Sequence, residues 1–172
     1  MITKIEKDGY VFSVDRDKTS EYYTMHSLCG CDGCQNFYKQ IKGLFPELEK
    51  FLAEFGVDIA GPDEMPWYDI NNRIQYTPYY TVIGKIEKIG QQKTSFENLN
   101  VVFYQSGSPY TDIPNEQVEP YFIIGVPKID LPWILDTTFP SAPAKKNFIM
   151  RLLSKLKKKQ CVCPNQDDHT MI

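Results

Sequence analysis

The sequence predicts an α+β domain: a mostly antiparallel sheet, a kinked or broken helix packed on one face of it, and a basic amphipathic helix at the C-terminus. Three observations lead there. Phe37, Ile41, Leu44, Leu48, Phe51, Leu52 and Phe55 recur at spacings of three and four, the buried stripe of an amphipathic helix. After that one helical region come several strand-like runs in succession, Arg73 to Ile89, Asn100 to Gln105 and Pro120 to Val126, with no helices between them. Ala144 to Gln160 then carries seven basic residues and no acidic one, with Phe148, Ile149, Leu152, Leu153 and Leu156 in a helical stripe.

Taken in order, Gly9 to Val14 and Glu21 to Met25 alternate and contain aromatic and β-branched residues, so they are expected to form a hairpin across the polar Asp15 to Ser20. The hairpin leads into a cysteine loop, and a helix is expected to start near Cys34 or Gln35. Pro46 lacks an amide hydrogen and disfavours helical geometry at Phe45, which predicts a break with Pro46 in the first turn of a second helix. Gly56 is the expected stop. In the long run after Arg73, Tyr80, Val82 and Ile86 share a face, and Gly84 marks a candidate bulge. Ser106 to Glu119 is turn-rich. Phe139 to Asn147 reads as a Pro/Ser/Ala joint, giving an organisation of 1–143 as the α+β domain, 144–160 as a basic helix docked on it, and 161–172 as a mobile tail.

Composition narrows the function. With 172 residues, 42% hydrophobic and 13% aromatic, the chain can bury one substantial core. A formal net charge of −3 gives no field that would gather nucleic acid. The N-terminal segment lacks the apolar core of a secretory signal and no run is long enough to span a bilayer, so the expectation is a cytoplasmic protein. The 144–160 helix could lie on an anionic membrane surface or in an acidic groove; docking on the domain with its lysines hydrated is preferred.

Common enzyme templates are missing. There is no P-loop, no G-x-G-x-x-G after a strand, no G-x-S-x-G elbow and no H-E-x-x-H helix. The only histidines are His26 and His169, and Ser27 beside His26 does not make a triad. Asp63, Glu64 and Asp69 near Trp67 read as solvated loop charges, and Trp67 and Trp133, each following a proline, as buried aromatics at strand ends. No catalytic residue is assigned.

What remains is His26-Ser-Leu-Cys29-Gly-Cys31-Asp-Gly-Cys34. In a reducing compartment, clustered cysteines serve as metal ligands or redox groups more often than as structural disulfides. Three readings stay open. The first is a structural zinc site on Cys29, Cys31 and Cys34, since thiolates suit Zn²⁺, with His26 or else Cys161, Cys163 or His169 of the tail as fourth donor. The second is thiol–disulfide redox chemistry by Cys31 and Cys34 at a helix start, where the dipole favours thiolate; an expected strand, C-x-x-C, helix order and the Thr77-Pro78 step resemble thioredoxin-like proteins. The third is simple packing of small apolar side chains.

The segment from Cys29 to Ile59, with the later Ile129 to Asp136, also resembles a family of small uncharacterised bacterial cytosolic proteins carrying C-x-C-x-x-C-x-N-[FY] before a helix. That resemblance implies no activity and transfers no functional residue. The reading overall is a non-enzymatic binding domain with a protein partner, of the kind an inhibitor or immunity-type protein would be, with zinc as its expected cofactor. A thiol–disulfide redox protein is the alternative.

Overall fold

The structure, a computed structural model, describes residues 1–70, 73–106 and 120–139. The 144–160 helix, the 161–172 tail and nearly all of the Ser106 to Glu119 turn region therefore lie outside the described residues. The chain is α+β, as expected. Its elements are β1 (Ile2–Lys7), β2 (Tyr10–Asp15), α1 (Arg16–Met25), α2 (Asp32–Tyr38), α3 (Pro46–Glu54), β3 (Trp67–Ile70), β4 (Arg73–Tyr76), β5 (Tyr79–Lys88), β6 (Thr94–Phe96), β7 (Leu99–Gln105), β8 (Tyr121–Gly125) and β9 (Ile129–Leu131). A six-stranded sheet runs β1-β2-β5-β8-β7-β6, and a smaller one runs β3-β4-β9. Every pairing within them is antiparallel. No described helix is long and apolar enough to cross a membrane.

Two tight hairpins frame the large sheet. Lys7 pairs with Tyr10 across Asp8 and Gly9, both at positive φ, and Phe96 pairs with Leu99 across Glu97 and Asn98, also both at positive φ. A two-residue loop with two positive φ values is a type I′ turn, whose twist matches that of the flanking strands. The long run from Arg73 divides at Thr77-Pro78, so β4 belongs to the small sheet and β5 to the large one.

The core lies between the large sheet and the helices. Tyr80, Val82 and Ile86 do share the core face of β5. Phe12 of β2 is fully buried and touches Phe55, Phe103 and Phe122, with ring centroids 5.3, 4.9 and 5.3 Å away. From α3 come Leu48, Phe51 and Leu52. Its N-terminus is capped from a distance: the Glu97 carboxylate accepts from the amides of Glu47 at 2.8 Å and Leu48 at 3.3 Å. A carboxylate there satisfies free N–H groups and suits the helix dipole. Pro46 occupies the first turn as expected, and Gly56, at φ 82°, ends the helix where a Cβ would meet Arg16 O at 2.6 Å.

Four expectations need correction. Glu21 to Met25 is the second half of α1 rather than a strand, because Asp15 caps a helix there: its carboxylate accepts from Lys18 N at 3.3 Å, and Thr19 Oγ1 donates to Asp15 O at 2.9 Å. The partner of β2 in its hairpin is instead β1. Helix α2 starts at Asp32, ahead of Cys34, and ends at Tyr38, so Leu44 falls in the connection to α3 and is 49% exposed. The irregularity of β5 is at Glu87, since Val11 pairs with Lys88 and Phe12 with Ile86. Gly84 serves close approach: a Cβ there would lie 2.2 Å from Ser13 O.

Leu48→Ala should therefore destabilise the protein by about 2–5 kcal/mol, and Leu44→Ala by under about 0.5 kcal/mol, in urea unfolding. Equal losses at the two positions would contradict this helix boundary.

Candidate metal centre

The cysteine loop joins α1 to α2, and the start of α2 gathers its sulfurs. Cys31 is the N-cap residue, extended at φ −71° and ψ 153°, and its carbonyl accepts from Gln35 N at 2.9 Å. One helical turn brings Cys34 back beside it, fully buried, while Cys29 approaches from the loop, where its carbonyl accepts from Gln35 Nε2 at 3.4 Å. None of the three is in a disulfide, and their Sγ atoms lie within 4.8 Å of one another. Three thiolates on one tetrahedral zinc at about 2.3 Å would stand about 3.8 Å apart. The group is close enough to hold a metal ion.

The loop is held from the small sheet. Trp67 of β3 and Tyr76 of β4 are cross-strand partners, and both reach Gly33, which lies between Cys31 and Cys34. Tyr76 donates from its hydroxyl to Gly33 O at 2.9 Å and accepts from Asn36 Nδ2 at 2.9 Å. Burial pushes the Tyr76 hydroxyl well up, so it stays protonated and able to donate. Asn36, fully buried, also donates to Pro132 O at 3.0 Å and accepts from Ile134 N at 2.8 Å, fastening α2 to the segment after β9. The indole of Trp67 covers Gly33 so closely that a Cβ there would lie 2.4 Å from Nε1. Only glycine leaves room.

His26, the C-cap of α1, is placed elsewhere. Its Nδ1 lies 3.6 Å from Asp63 Oδ1 and its ring stacks on Tyr22. Asp63 corrects the expectation of a solvated charge: its side chain is 1% exposed. It accepts from Tyr22 Oη at 2.7 Å and from Thr81 N at 3.0 Å. Burial raises the Asp63 carboxyl above its ordinary range, while the bonds from Thr81 and Tyr22 and the nearby His26 pull it back. Glu64 is buried too, and burial with Asp63 beside it pushes its carboxyl up. Asp69 is exposed as expected. Trp133 is half-buried and donates from Nε1 to Thr137 O at 2.9 Å.

Cys161, Cys163 and His169 lie outside the described residues. The element before the cysteine loop is a helix, so the thioredoxin-like strand, C-x-x-C, helix order is not formed, and Thr77-Pro78 serves as the link from β4 to β5. Sequence reasoning missed Asn36 and Tyr76 as supports of the loop. Asn36, two residues after Cys34 and next to Phe37 of the apolar stripe, is a polar residue that the helix buries, and neither it nor Tyr76 stood out by spacing.

Two outcomes follow from this geometry. Gly33→Ala should cost about 1–3 kcal/mol in thermal or urea unfolding, because the indole must move aside. Asp63→Asn removes a titration whose folded pKa is raised, and such a group lends most stability below its unfolded value of 3.8 and loses it as pH rises through the folded value. The stability difference should thus shift in favour of Asp63→Asn as pH rises above about 4, measured by urea unfolding along a pH series. A shift in favour of the wild type would contradict the burial assigned to Asp63.

Comparison with protein-family models, curated proteins and solved structures finds no match.

Proposed function

We propose that the chain is a non-enzymatic cytoplasmic binding domain whose α1–α2 loop is pinned by a structural zinc ion on Cys29, Cys31 and Cys34. The observation that supports it is the convergence of three cysteine sulfurs, none in a disulfide, within 4.8 Å at the start of a helix. Soft thiolate donors favour zinc over hard cations such as Mg²⁺ or Ca²⁺. The ion would tie residues 26–31, which have no regular structure, to the core through buried Cys34. Metal binding and local folding are then one equilibrium. Met25 and Leu28, large apolar residues exposed on either side of His26, favour a protein as the partner.

A second reading draws on the N-cap position of Cys31: thiol–disulfide exchange with Cys34. Full burial of Cys34 and the third sulfur beside the pair favour the metal. A tetrahedral ion takes a fourth donor, for which His26, Cys161, Cys163 and His169 are this chain's candidates.

Protein purified without chelator should contain about one equivalent of zinc by elemental mass spectrometry, and Cys29→Ser, Cys31→Ser and Cys34→Ser should each reduce it. Among the fourth-donor candidates, the substitution that lowers zinc content identifies the ligand. Metal-free protein with three titratable loop thiols and unchanged stability on substitution would defeat the zinc reading; a Cys31–Cys34 disulfide of oxidising potential would favour exchange.

A further inference from the structure

Trp67 has a donor that meets no acceptor among the described residues. Its indole Nε1 is buried and, with Thr94 Oγ1, is one of two buried side-chain polar atoms without a hydrogen-bond partner among the described residues. Leaving a buried N–H unsatisfied is unfavourable, and native structures seldom do so without a reason. The other tryptophan shows the ordinary solution, since Trp133 donates to a backbone carbonyl. Trp67 differs in where it sits. Its Nε1–Cε2 edge lies against Gly33, at the centre of Cys31-Asp-Gly-Cys34, and the absent Cβ leaves no side chain between the indole and the turn that carries the sulfurs.

No described cysteine sulfur stands in hydrogen-bond geometry to Nε1 here, and charge decides what the indole would gain by closing on one. A neutral thiol is a weak acceptor, so three protonated thiols would offer the indole little. Three thiolates on a divalent ion carry a net charge of −1 and become strong acceptors of N–H groups. An indole suits that position because it donates, accepts nothing and cannot compete for the metal. Donors to ligating atoms in general orient the ligands and tune how firmly the metal is held.

We propose that Trp67 is a positioning residue of the metal centre, its indole N–H donating to a cysteine sulfur once that sulfur is a metal-bound thiolate. This rests on the metal reading of the loop and adds its regulation: the pairing of Trp67 with Tyr76 across β3 and β4 sets how tightly Cys29, Cys31 and Cys34 retain a thiophilic divalent cation. Tyr76 holds the Gly33 carbonyl, and with Trp67 donating to one ligating sulfur of the loaded site, one cross-strand pair would grip the turn by both its backbone and a ligand.

The test is nuclear magnetic resonance of the full chain with ¹⁵N-labelled tryptophan, before and after one equivalent of Zn²⁺, with Trp133→Phe to assign the two indole signals. The Trp67 indole proton should move downfield and exchange more slowly with solvent, while that of Trp133 stays in place. Trp67→Phe, which keeps the ring and loses the donor, should release zinc to a chelator about 10-fold faster. An unmoved Trp67 signal in zinc-loaded protein overturns the proposal and leaves the metal centre standing, as does an unchanged release rate from folded Trp67→Phe. Failure of the wild type to bind zinc overturns both. Should Trp67→Phe fail to fold, the wild-type spectra decide.

Discussion

The backbone of β5 must be hydrogen-bonded on two sides, and β2 reaches only the second half of it, from Gly84 onward. The first half would present bare polar groups to the interior. Side chains close that edge in place of a strand: Asp63 Oδ2 accepts from Thr81 N, Tyr23 Oη donates to Thr81 O at 3.0 Å, and Thr19 Oγ1 accepts from Ile83 N at 3.1 Å. At Tyr79 the edge is met by main chain, through Asp63 N and Glu64 O. Because unpaired buried amides and carbonyls are so unfavourable, α1 and the turn at Asp63 have little freedom in where they sit.

Much of the remaining architecture inherits that placement. With Thr19, Tyr22 and Tyr23 turned inward, the same face of α1 ends at His26, which rests against Asp63. The chain therefore leaves α1 close to the sheet and must cross to α2 in a few residues, which is the span that carries the cysteines. The far side of that crossing is fixed by Asn36, Tyr76 and Trp67, which belong to the small sheet and its surroundings. The sulfurs thus gather where two separately anchored parts of the fold meet.

The helices and strands of the core were legible because their apolar periodicity is strong and their punctuation is chemical: Pro46 opens α3, Gly56 closes it, and β7 and β8 alternate or run apolar between turns. What was misread involves polar side chains with buried partners. Glu21 to Met25 looks like a strand because tyrosine and threonine favour one, yet Thr19, Tyr22, Tyr23 and His26 also recur at helical spacing, and only the pairing of their polar atoms with β5 and Asp63 decides between the two. Asp8-Gly9 was a hairpin signal whose reading would have revealed β1. Asp63 looked solvated for the same reason α1 looked extended, since burial of a charge depends on donors 18 and 41 residues distant. At the candidate site, the cysteine spacing carried the metal-binding group, whereas the partners that shape its loop come from β3, β4 and the segment after β9, at separations no local pattern encodes.

The distant cap on α3 bears on the order in which the fold can be completed. Glu97 closes that helix from 50 residues downstream. A chain made from its N-terminus releases α3 from the ribosome well before its cap exists, and a nine-residue helix alone is marginal in water. Until the β6–β7 turn emerges and folds back, the face bearing Leu48, Phe51 and Leu52 lacks its terminal carboxylate and the β8-β7-β6 half of the sheet. The nascent chain therefore carries an exposed apolar stripe until about 50 further residues have been made, an interval in which such a surface is open to wrong partners.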